Sequence, residues 1–416
     1  MKVLVLGGGV IGAASAYFLN EAGHEVTIID RNKGVGLETS FANGGIVSAF
    51  TARPWASPDV PRMLVKWFGR QDAPYLFRLR PDWDQWKWAL RFLRECTRER
   101  FEKNASNSLR LSTYSYDCLK NVREKEQIIY DQGLDGVMHL YATEKQLAIG
   151  AETECAHSDS QFHPQVLDIK RCIELEPALA HCANNYAGAL FFSQDESGDA
   201  HKFTSGIAVA AQNQGVNIKC GISVRGLEHE GGSITGVYTD DGLYTADVYL
   251  MSLGSYSPLI LKTIGMSVPI YPLKGYSVTI PIENTDAAPK IAIHEGSRRI
   301  VMSRLGDRLR SAGSAELAGY NKEVTAPRAK AILDVTMNMF PECGDATKAE
   351  HWVGLRPMTP DCLPILGPTK YKNLYMNTGH GSTGWTYACG SGKLISDMIS
   401  GVSPDLDLSC FAIDRF

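Results

Sequence analysis

The turn Gly7-Gly8-Gly9-Val10-Ile11-Gly12 decides the fold of this 416-residue chain. Before it, the aliphatic run Lys2 to Leu6 predicts a buried parallel strand. After it, the segment from Val10 to Ala22 predicts a helix, and a second strand over 25–29 ends at Asp30. Strand, helix and strand therefore follow one another within about 30 residues, which is typical of a βαβ unit.

In this context the turn predicts a dinucleotide-binding site. Gly7 permits the tight turn, Gly9 lets the backbone approach a pyrophosphate, and Gly12 lets the helix pack closely on the strand. The helix N-terminus presents free N–H groups to the phosphates. Asp30 is expected to accept hydrogen bonds from ribose hydroxyls and argues against NADP, whereas the unit alone leaves NAD and FAD open. The predicted nucleotide contacts are Gly7, Gly9, Val10, Ile11, Gly12 and Asp30.

Composition narrows the class of protein. Hydrophobic residues make up 44% of the chain and the formal net charge is -4, which favours a globular protein and argues against a nucleic-acid binder. The ten cysteines show no C-x-x-C and no zinc spacing, so we expect free thiols and no metal. No signal peptide and no apolar stretch of about 20 residues is visible, which predicts a cytoplasmic location.

The α/β pattern occurs three times along the chain, with other material between. Strands and a helix recur over 199–254, and the chain closes with a strand, a glycine turn at 379–384 and a helix. We therefore predict an α/β fold with a discontinuous Rossmann-like domain and an inserted domain of antiparallel sheet and helices. The predicted bounds are 1–50, 160–265 and 352–416 for the first domain, and 51–159 and 266–351 for the second.

The inserted part contains an aromatic stretch over 82–92, Asp82-Trp83-Asp84-Gln85-Trp86-Lys87-Trp88-Ala89-Leu90-Arg91-Phe92, which overlaps a helix expected over 84–100. We favour inward packing of these tryptophans, because Asp82 and Asp84 dilute the basic face. The alternative is a peripheral contact with the inner membrane, which would suit delivery of electrons to a quinone.

Later motifs resemble the D-amino acid oxidase superfamily. The loop from Gly36 to Gly45 is similar to the segment that lies along the FAD pyrophosphate and flavin in that family. Similar motifs continue at 198–204, around Val224, at 253–257, at 354–361 and at 377–385. The resemblance implies FAD as the cofactor, with further contacts at Arg31, Ser40, Asn43, Gly44, Val224, Gly254, Gly379, Gly381, Ser382, Thr383, Gly384 and Trp385.

Within the superfamily, the chain resembles the branch of bacterial D-amino acid dehydrogenase small subunits most. Tyr271-Pro272-Leu273-Lys274-Gly275-Tyr276-Ser277, Ala388-Cys389-Gly390-Ser391-Gly392 and Ala52-Arg53-Pro54-Trp55 are similar to that branch. The run from Gly44 to Phe50 departs from the branch's usual Ala-Gly-Gln with a later Ser-Pro-Gly. Gly354 stands near the place where related sarcosine oxidases carry a flavin-linked cysteine, so non-covalent FAD is expected.

The resemblance implies oxidative deamination of a D-amino acid, with hydride passing from Cα to flavin N5 and electrons passing on to an acceptor such as a quinone. Arg356 is the candidate clamp for the substrate carboxylate, since guanidinium matches carboxylate with two hydrogen bonds. The phenols of Tyr271 and Tyr276 could bond that carboxylate or simply pack, and their odd spacing lets at most one point inward.

Two further candidates have ordinary structural readings beside the functional ones. Lys274 could stabilise the reduced flavin or be a solvated strand lysine. His380 could line the pocket or be a turn histidine bonded to backbone. Backbone N–H groups of the 379–384 turn would stabilise negative charge at flavin N1 and C2=O.

Three alternatives remain open at this point. The first is an enzyme for secondary amines such as proline, hydroxyproline or sarcosine, which would share the FAD site and Arg356. The second is a non-catalytic FAD-binding subunit of a larger complex. The third, NAD-dependent hydride transfer, is disfavoured by the later FAD-like motifs.

Overall fold

A computed structural model describes residues 1–49, 52–67, 73–155 and 163–416. The predicted domain boundaries at 50/51 and 159/160, and Phe50 of the departing loop, lie outside these described residues. The α-helices are α1 (Val10–Glu21), α2 (Val60–Trp67), α3 (Trp83–Glu95), α4 (Arg98–Glu126), α5 (Glu144–Cys155), α6 (Ile169–Leu175), α7 (Ala200–Asn213), α8 (Ser257–Leu261), α9 (Ala326–Met339) and α10 (Gly384–Ile399). The strands are β1 (Lys2–Leu6), β2 (Glu25–Asp30), β3 (Ile46–Val47), β4 (Tyr75–Phe77), β5 (Val137–Tyr141), β6 (Gln165–Asp168), β7 (Gly188–Phe192), β8 (Glu196–Ser197), β9 (Asn217–Cys220), β10 (Val224–Glu230), β11 (Ser233–Thr239), β12 (Gly242–Tyr244), β13 (Val248–Met251), β14 (Tyr271–Pro281), β15 (Ala292–Glu295), β16 (Ile300–Leu305), β17 (Arg308–Leu317), β18 (Glu350–Met358), β19 (Ile365–Pro368) and β20 (Leu374–Thr378).

The first sheet has six strands in the order β19-β20-β13-β1-β2-β9. Its pairs are parallel except for β19, which runs antiparallel to β20. Alternate residues of β1 enter opposite cores: Val3 and Val5 pack with α1, α7 and α10, while Leu4 and Leu6 pack toward β10 and β11. Burial on both faces explains why β1 reads as an unbroken aliphatic run. Three separated stretches of chain meet in this sheet, so the predicted discontinuous Rossmann-like fold is confirmed.

The second sheet is mixed and has nine strands. Its order is β18-β14-β17-β16-β15-β5-β7-β6, and β4 pairs with β17. Most neighbours are antiparallel, whereas β5 pairs with β15 in parallel. Strands β6 and β7 belong to this sheet although they fall inside the predicted nucleotide domain, and β18 spans the predicted boundary at 351/352. Strand pairing alone does not delimit a domain, so the proposed bounds stay a prediction.

The helix expected over 84–100 is interrupted. Helix α3 ends at Glu95 and α4 begins at Arg98, because Thr97 adopts an extended backbone and its hydroxyl caps α4 by accepting from the Arg100 N–H. Inward packing of the tryptophans holds for Trp88, which is 5% exposed, but is wrong for Trp83, which is 78% exposed. The sequence pattern predicts a helix here but does not show which of its faces packs against the sheet.

Two expectations about the whole chain can be compared with the structure. The nine cysteines whose side chains are described are all free. Among the helices of the described ranges, none combines the length and the apolar character needed to cross a bilayer.

Candidate active site

A cavity of about 860 Å³ lies where the two large sheets meet. Its walls combine the turns that follow β1, β2 and β13 with side chains of β5, β14, β15, β17 and β18. Most of the predicted site residues line it: Gly7, Gly9, Val10, Ile11, Asp30, Arg31, Ser40, Asn43, Gly44, Val224, Gly254, Tyr276, Arg356, His380, Gly381, Ser382, Thr383, Gly384 and Trp385. Gly12, Tyr271, Lys274 and Gly379 are not part of this lining.

The three glycines of the G-x-G-x-x-G pattern in the N-terminal turn have different surroundings. Gly7 has φ +105°, and a Cβ on it would lie 2.7 Å from the Ser252 carbonyl oxygen. A Cβ on Gly12 would lie 1.8 Å from the Gly7 carbonyl oxygen, so the close packing of α1 requires glycine there. A Cβ on Gly9 would instead have only Ser40 Oγ within 4 Å, at 3.8 Å. The open side of Gly9 faces the cavity, as close approach of a ligand requires.

Asp30 and Arg31 at the end of β2 are held firmly in the cavity wall. The two oxygens of Asp30 accept hydrogen bonds from the Gly8 and Asn32 N–H groups, both at 2.8 Å. Oδ1 also accepts from the Asn32 side-chain amide at 3.0 Å, whereas Oδ2 keeps an unused lone pair that a ribose hydroxyl could reach. The Arg31 guanidinium lies 3.8 Å from the centroid of the Tyr256 ring and pairs with Glu38.

The loop after β2 connects the two sheets. Ser40 Oγ accepts from the Val10 N–H at 3.1 Å, and Asn43 Oδ1 accepts from the Gly45 N–H at 3.1 Å. A Cβ on Gly44 would lie 2.4 Å from Val301 Cγ2 on β16, so this backbone rests directly on the second sheet.

The C-terminal glycine turn leads into α10. Gly379 and Gly381 both have positive φ, at +79° and +56°. His380 between them is 1% exposed, its Nε2 lies 3.1 Å from Ser391 Oγ, and burial lowers its pKa to about 3. The imidazole is therefore neutral and bonded to a side chain, which differs from the expected backbone partner.

The residues present fit FAD. Within the described residues, three buried polar atoms that belong to cavity-lining residues have no hydrogen-bond partner: Ser252 Oγ, Asn377 Oδ1 and Trp385 Nε1. Buried polar groups are rarely left unpaired in native proteins, so these atoms indicate a polar ligand along this wall. The N-terminus of α10 and that of α1 both open on the same cavity, as a dinucleotide with phosphates and an electron-accepting ring requires.

Arg356 is the principal charged group at the other end. Its Nη1 donates to the Ser314 carbonyl at 2.9 Å, and the guanidinium carbon lies 5.5 Å from the centroid of the Trp55 ring. Within the described residues it has no carboxylate partner, and burial lowers its pKa to about 10. A guanidinium without a counter-ion in a cavity wall is an anion-binding group.

The position of Arg356 depends on Gly275, a residue that the sequence analysis did not identify. Gly275 on β14 pairs with Gly354 on β18, and a Cβ there would lie 2.3 Å from Arg356 Nη1. The guanidinium therefore lies flat across the backbone of β14.

The three other candidates, which all lie on strand β14, contact the main cavity little or not at all. Tyr271 donates to Asp82 at 2.8 Å and lines a separate small cavity. Tyr276 lines the main cavity, but its hydroxyl bonds Glu316 and Thr325, at 2.5 and 3.0 Å. Lys274 is buried, and its Nζ lies 3.4 Å from Asn321 Oδ1. The structure does not bring Tyr271 or Lys274 to the main cavity.

A different phenol stands beside Arg356. Tyr75, on β4, lines the cavity; burial raises its pKa, while the nearby charges of Arg299 and Arg356 oppose the rise. The Arg299 guanidinium lies 5.1 Å from the Tyr75 ring centroid. No motif in the sequence indicated these two residues, because Tyr75 lies on a short strand and Arg299 in a hairpin turn, and neither carries a recognisable spacing.

Comparison with known proteins identifies the family. Residues 2–398 match the family model described as "DAO: FAD dependent oxidoreductase". The chain belongs to this family of FAD-dependent oxidoreductases, and FAD is its cofactor.

Two relatives illustrate the likeness in sequence. A protein of Paramagnetospirillum magneticum named D-amino acid dehydrogenase is 44% identical, over 100% of this chain and 99% of its own length. A protein of Xanthobacter autotrophicus with the same name is 42% identical, with the same coverage. The resemblance inferred from the motifs is thereby confirmed.

Solved structures agree on the fold. An L-proline dehydrogenase from P. horikoshii has a TM-score of 0.77 at 16% identity, and covers 100% of this chain and 97% of its own. A glycine oxidase from Geobacillus kaustophilus has a TM-score of 0.75 at 21% identity, with coverages of 100% and 99%. At these identities the likeness establishes the architecture alone.

Proposed function

We propose that this enzyme oxidises D-amino acids to 2-oxo acids and ammonia. The observation that carries the proposal is the guanidinium of Arg356, which faces the cavity without a carboxylate partner among the described residues. A substrate carboxylate would supply that partner through two parallel charge-assisted hydrogen bonds. The names of the relatives at 42–44% identity support the D configuration.

The residues of the chain would hold and orient the substrate. Arg356 binds the carboxylate, Tyr75 offers a hydroxyl beside it, and the Trp55 ring shields the pair from water. Bound FAD would supply the two-electron oxidant for the Cα–N bond of the substrate. The amine loses a proton, and water hydrolyses the resulting imino acid to the 2-oxo acid and ammonia.

His380 contributes no proton transfer at neutral pH in this scheme. Burial lowers its pKa to about 3, so it is neutral and orients Ser391 or is oriented by it. The N–H groups of Gly381, Ser382, Thr383 and Gly384 would face the flavin pyrimidine ring and favour electron uptake. Gly354 carries no nucleophile, which supports non-covalent FAD.

The acceptor is proposed to be a quinone, reached by peripheral contact with a membrane. The support is the outer face of α3, where Trp83 is 78% and Leu90 60% exposed. Lys87 and Arg91 lie on the same exposed side of α3, as in helices that lie at anionic lipid surfaces. Flotation with vesicles of anionic lipid tests this part, and unchanged flotation of Trp83→Ser would refute it.

The experiment for the whole proposal is anaerobic mixing of the yellow holoenzyme with D-, L- and N-methyl amino acids. Bleaching of the flavin by D-amino acids, with release of ammonia, is the expected result. Bleaching only by N-methyl amino acids or proline would favour a secondary-amine enzyme. An absence of bleaching by every compound would support a non-catalytic FAD-binding subunit.

A further inference from the structure

Two neighbouring histidines line the cavity on strands other than the one that carries Arg356. His139 on β5 and His294 on β15 are direct partners across the parallel strand pair. Their ring centroids are 4.6 Å apart and their planes are inclined at 70°. Both rings line the main cavity, and neither was singled out by any motif.

Within the part of the chain that the structure describes, neither imidazole has a hydrogen-bond partner. His139 packs against the Phe192 ring at 4.8 Å, but within the described residues no hydrogen bond is made by either ring. Burial lowers the pKa of His294 to about 4, and it lowers the pKa of His139 well below 6.5. At neutral pH each ring therefore offers one N–H donor and one nitrogen acceptor to whatever occupies the cavity. Polar groups in this position point to a ligand that pairs with them.

Near this end of the cavity lie an ion pair and a further cation, Arg299, which adds to burial in lowering the pKa of His294. Arg53 pairs with Glu154 at 2.8 Å and also donates to the Thr153 carbonyl at 2.9 Å. Both partners line the same cavity as the histidines. The imidazoles themselves present neutral hydrogen-bonding groups, and the Arg299 guanidinium lies over the Tyr75 ring, 5.1 Å from its centroid.

The distance from Arg356 suits a long side chain. The Arg356 guanidinium lies over Gly275 on β14 and bonds Ser314 on β17. Strand β15 lies two positions beyond β17, which is roughly 10 Å at the usual strand spacing. With its carboxylate on Arg356, a short substrate would end before His294, whereas a side chain of glutamine length would reach it.

We propose that His139 and His294 form a side-chain subsite that binds an uncharged hydrogen-bonding group, a carboxamide or a hydroxyl, of the D-amino acid. This proposal rests on the proposed function. It identifies the two histidines as specificity-determining residues that lie apart from the reacting Cα.

The test compares kcat/KM for D-glutamine and D-methionine, which have similar length and differ in hydrogen bonding. The wild-type holoenzyme is expected to prefer D-glutamine by about tenfold or more, because binding D-methionine leaves the polar rings unpaired. His294→Leu and His139→Leu should each lower this ratio by about tenfold, and His294→Asn should keep most of it. The exposed His351, outside the cavity, is the control, and His351→Leu should leave the ratio unchanged.

The outcomes separate this proposal from the one on which it rests. If D-alanine reduces the flavin but the glutamine-to-methionine ratio is unaltered in both leucine variants, the subsite is refuted and the activity stands. A wild-type preference for D-methionine, or for D-glutamate over D-glutamine, would also refute a neutral polar subsite. If no D-amino acid reduces the flavin, both proposals fail together.

Discussion

The two ends of the cavity are built in different ways. At the nucleotide end the wall is contributed by short contiguous turns, which include Gly7, Gly9, Val10 and Ile11 near the N-terminus and residues 380–384 before α10. At the substrate end it is made of side chains from strands far apart in the sequence, such as Tyr75, His294 and Arg356. A ligand common to a whole family can be held by a turn, whereas a particular substrate needs side chains that only the assembled sheet brings together.

Removal of the Arg356 charge should have the largest effect. It tests most directly whether side chains define the substrate end of the cavity. Arg356→Met loses two charge-assisted hydrogen bonds to the substrate carboxylate, so kcat/KM should fall by about a hundredfold to a thousandfold. Arg356→Lys keeps the positive charge but cannot form two parallel hydrogen bonds with a carboxylate, so its kcat/KM should lie between the values of the wild type and of Arg356→Met. Flavin content and thermal stability serve as controls, and unchanged turnover of every D-amino acid by Arg356→Met would show that the substrate end is misassigned.

Two glycines of the N-terminal turn test the nucleotide end of the cavity, because we expect one to affect FAD binding and the other to affect stability. Gly9→Ala should leave the apoprotein fold intact, because a Cβ there meets only Ser40 Oγ, and should weaken FAD binding by about tenfold or more. Gly12→Ala should destabilise the fold itself by about 1–3 kcal/mol, because its Cβ would overlap the Gly7 carbonyl. FAD titration and urea denaturation of the apoproteins separate the two effects. Equal loss of stability in both variants would contradict the division of roles.

Gly275→Ala tests whether backbone also matters at the substrate end. Its Cβ would displace the Arg356 guanidinium, so KM for the D-amino acid should rise by about tenfold while flavin binding is retained. Gly226 on β10 is a matched control, since a Cβ there makes only ordinary contacts with Thr263, at 3.4 Å. An unaltered KM in Gly275→Ala would mean that substrate binding does not depend on the position of the Arg356 guanidinium over the backbone of β14.

The smallest expected effect is a pH dependence of stability. His380 is held neutral in the fold with a pKa of about 3, whereas the unfolded chain takes up a proton near pH 6.5. Stability should therefore fall as pH decreases from 6.5 toward 3, by about 2 kcal/mol at pH 5 for this one group. His380→Asn should lose less stability over that interval in urea denaturation of the apoprotein. Parallel pH profiles for the two proteins would show that His380 is not the group responsible.

The sequence was most informative where function is carried by short contiguous patterns. The strand, glycine turn and helix at the N-terminus, the loop with Ser40 and Asn43, and the final turn before α10 were all predicted, and all line one cavity. Arg356 was singled out from its motif, and the structure places it there too. Such patterns can be recognised because each residue acts through its immediate neighbours.

The candidates that the structure places elsewhere fail for one physical reason. Tyr271 and Lys274 lie on the expected strand, but a bulge between Lys274 and Tyr276 and the partners on neighbouring strands decide where each side chain points. Trp86 lies on the expected helix and Trp83 just before it, yet only the packing of α3 decides that Trp88 is the buried member. The period of a sequence pattern shows which residues share a face of a helix or strand. It does not show which of those faces is buried in the folded protein.

By itself the sequence determined the α/β class, the family, the cofactor and the glycine-built nucleotide end, because these follow from local conformation and from patterns that stay together along the chain. The tertiary structure alone decided that Tyr75, Arg299, His139 and His294 share a cavity with Arg356, since pairing of distant strands sets those distances. Conformational preferences act between neighbours in sequence, whereas a substrate contacts neighbours in space.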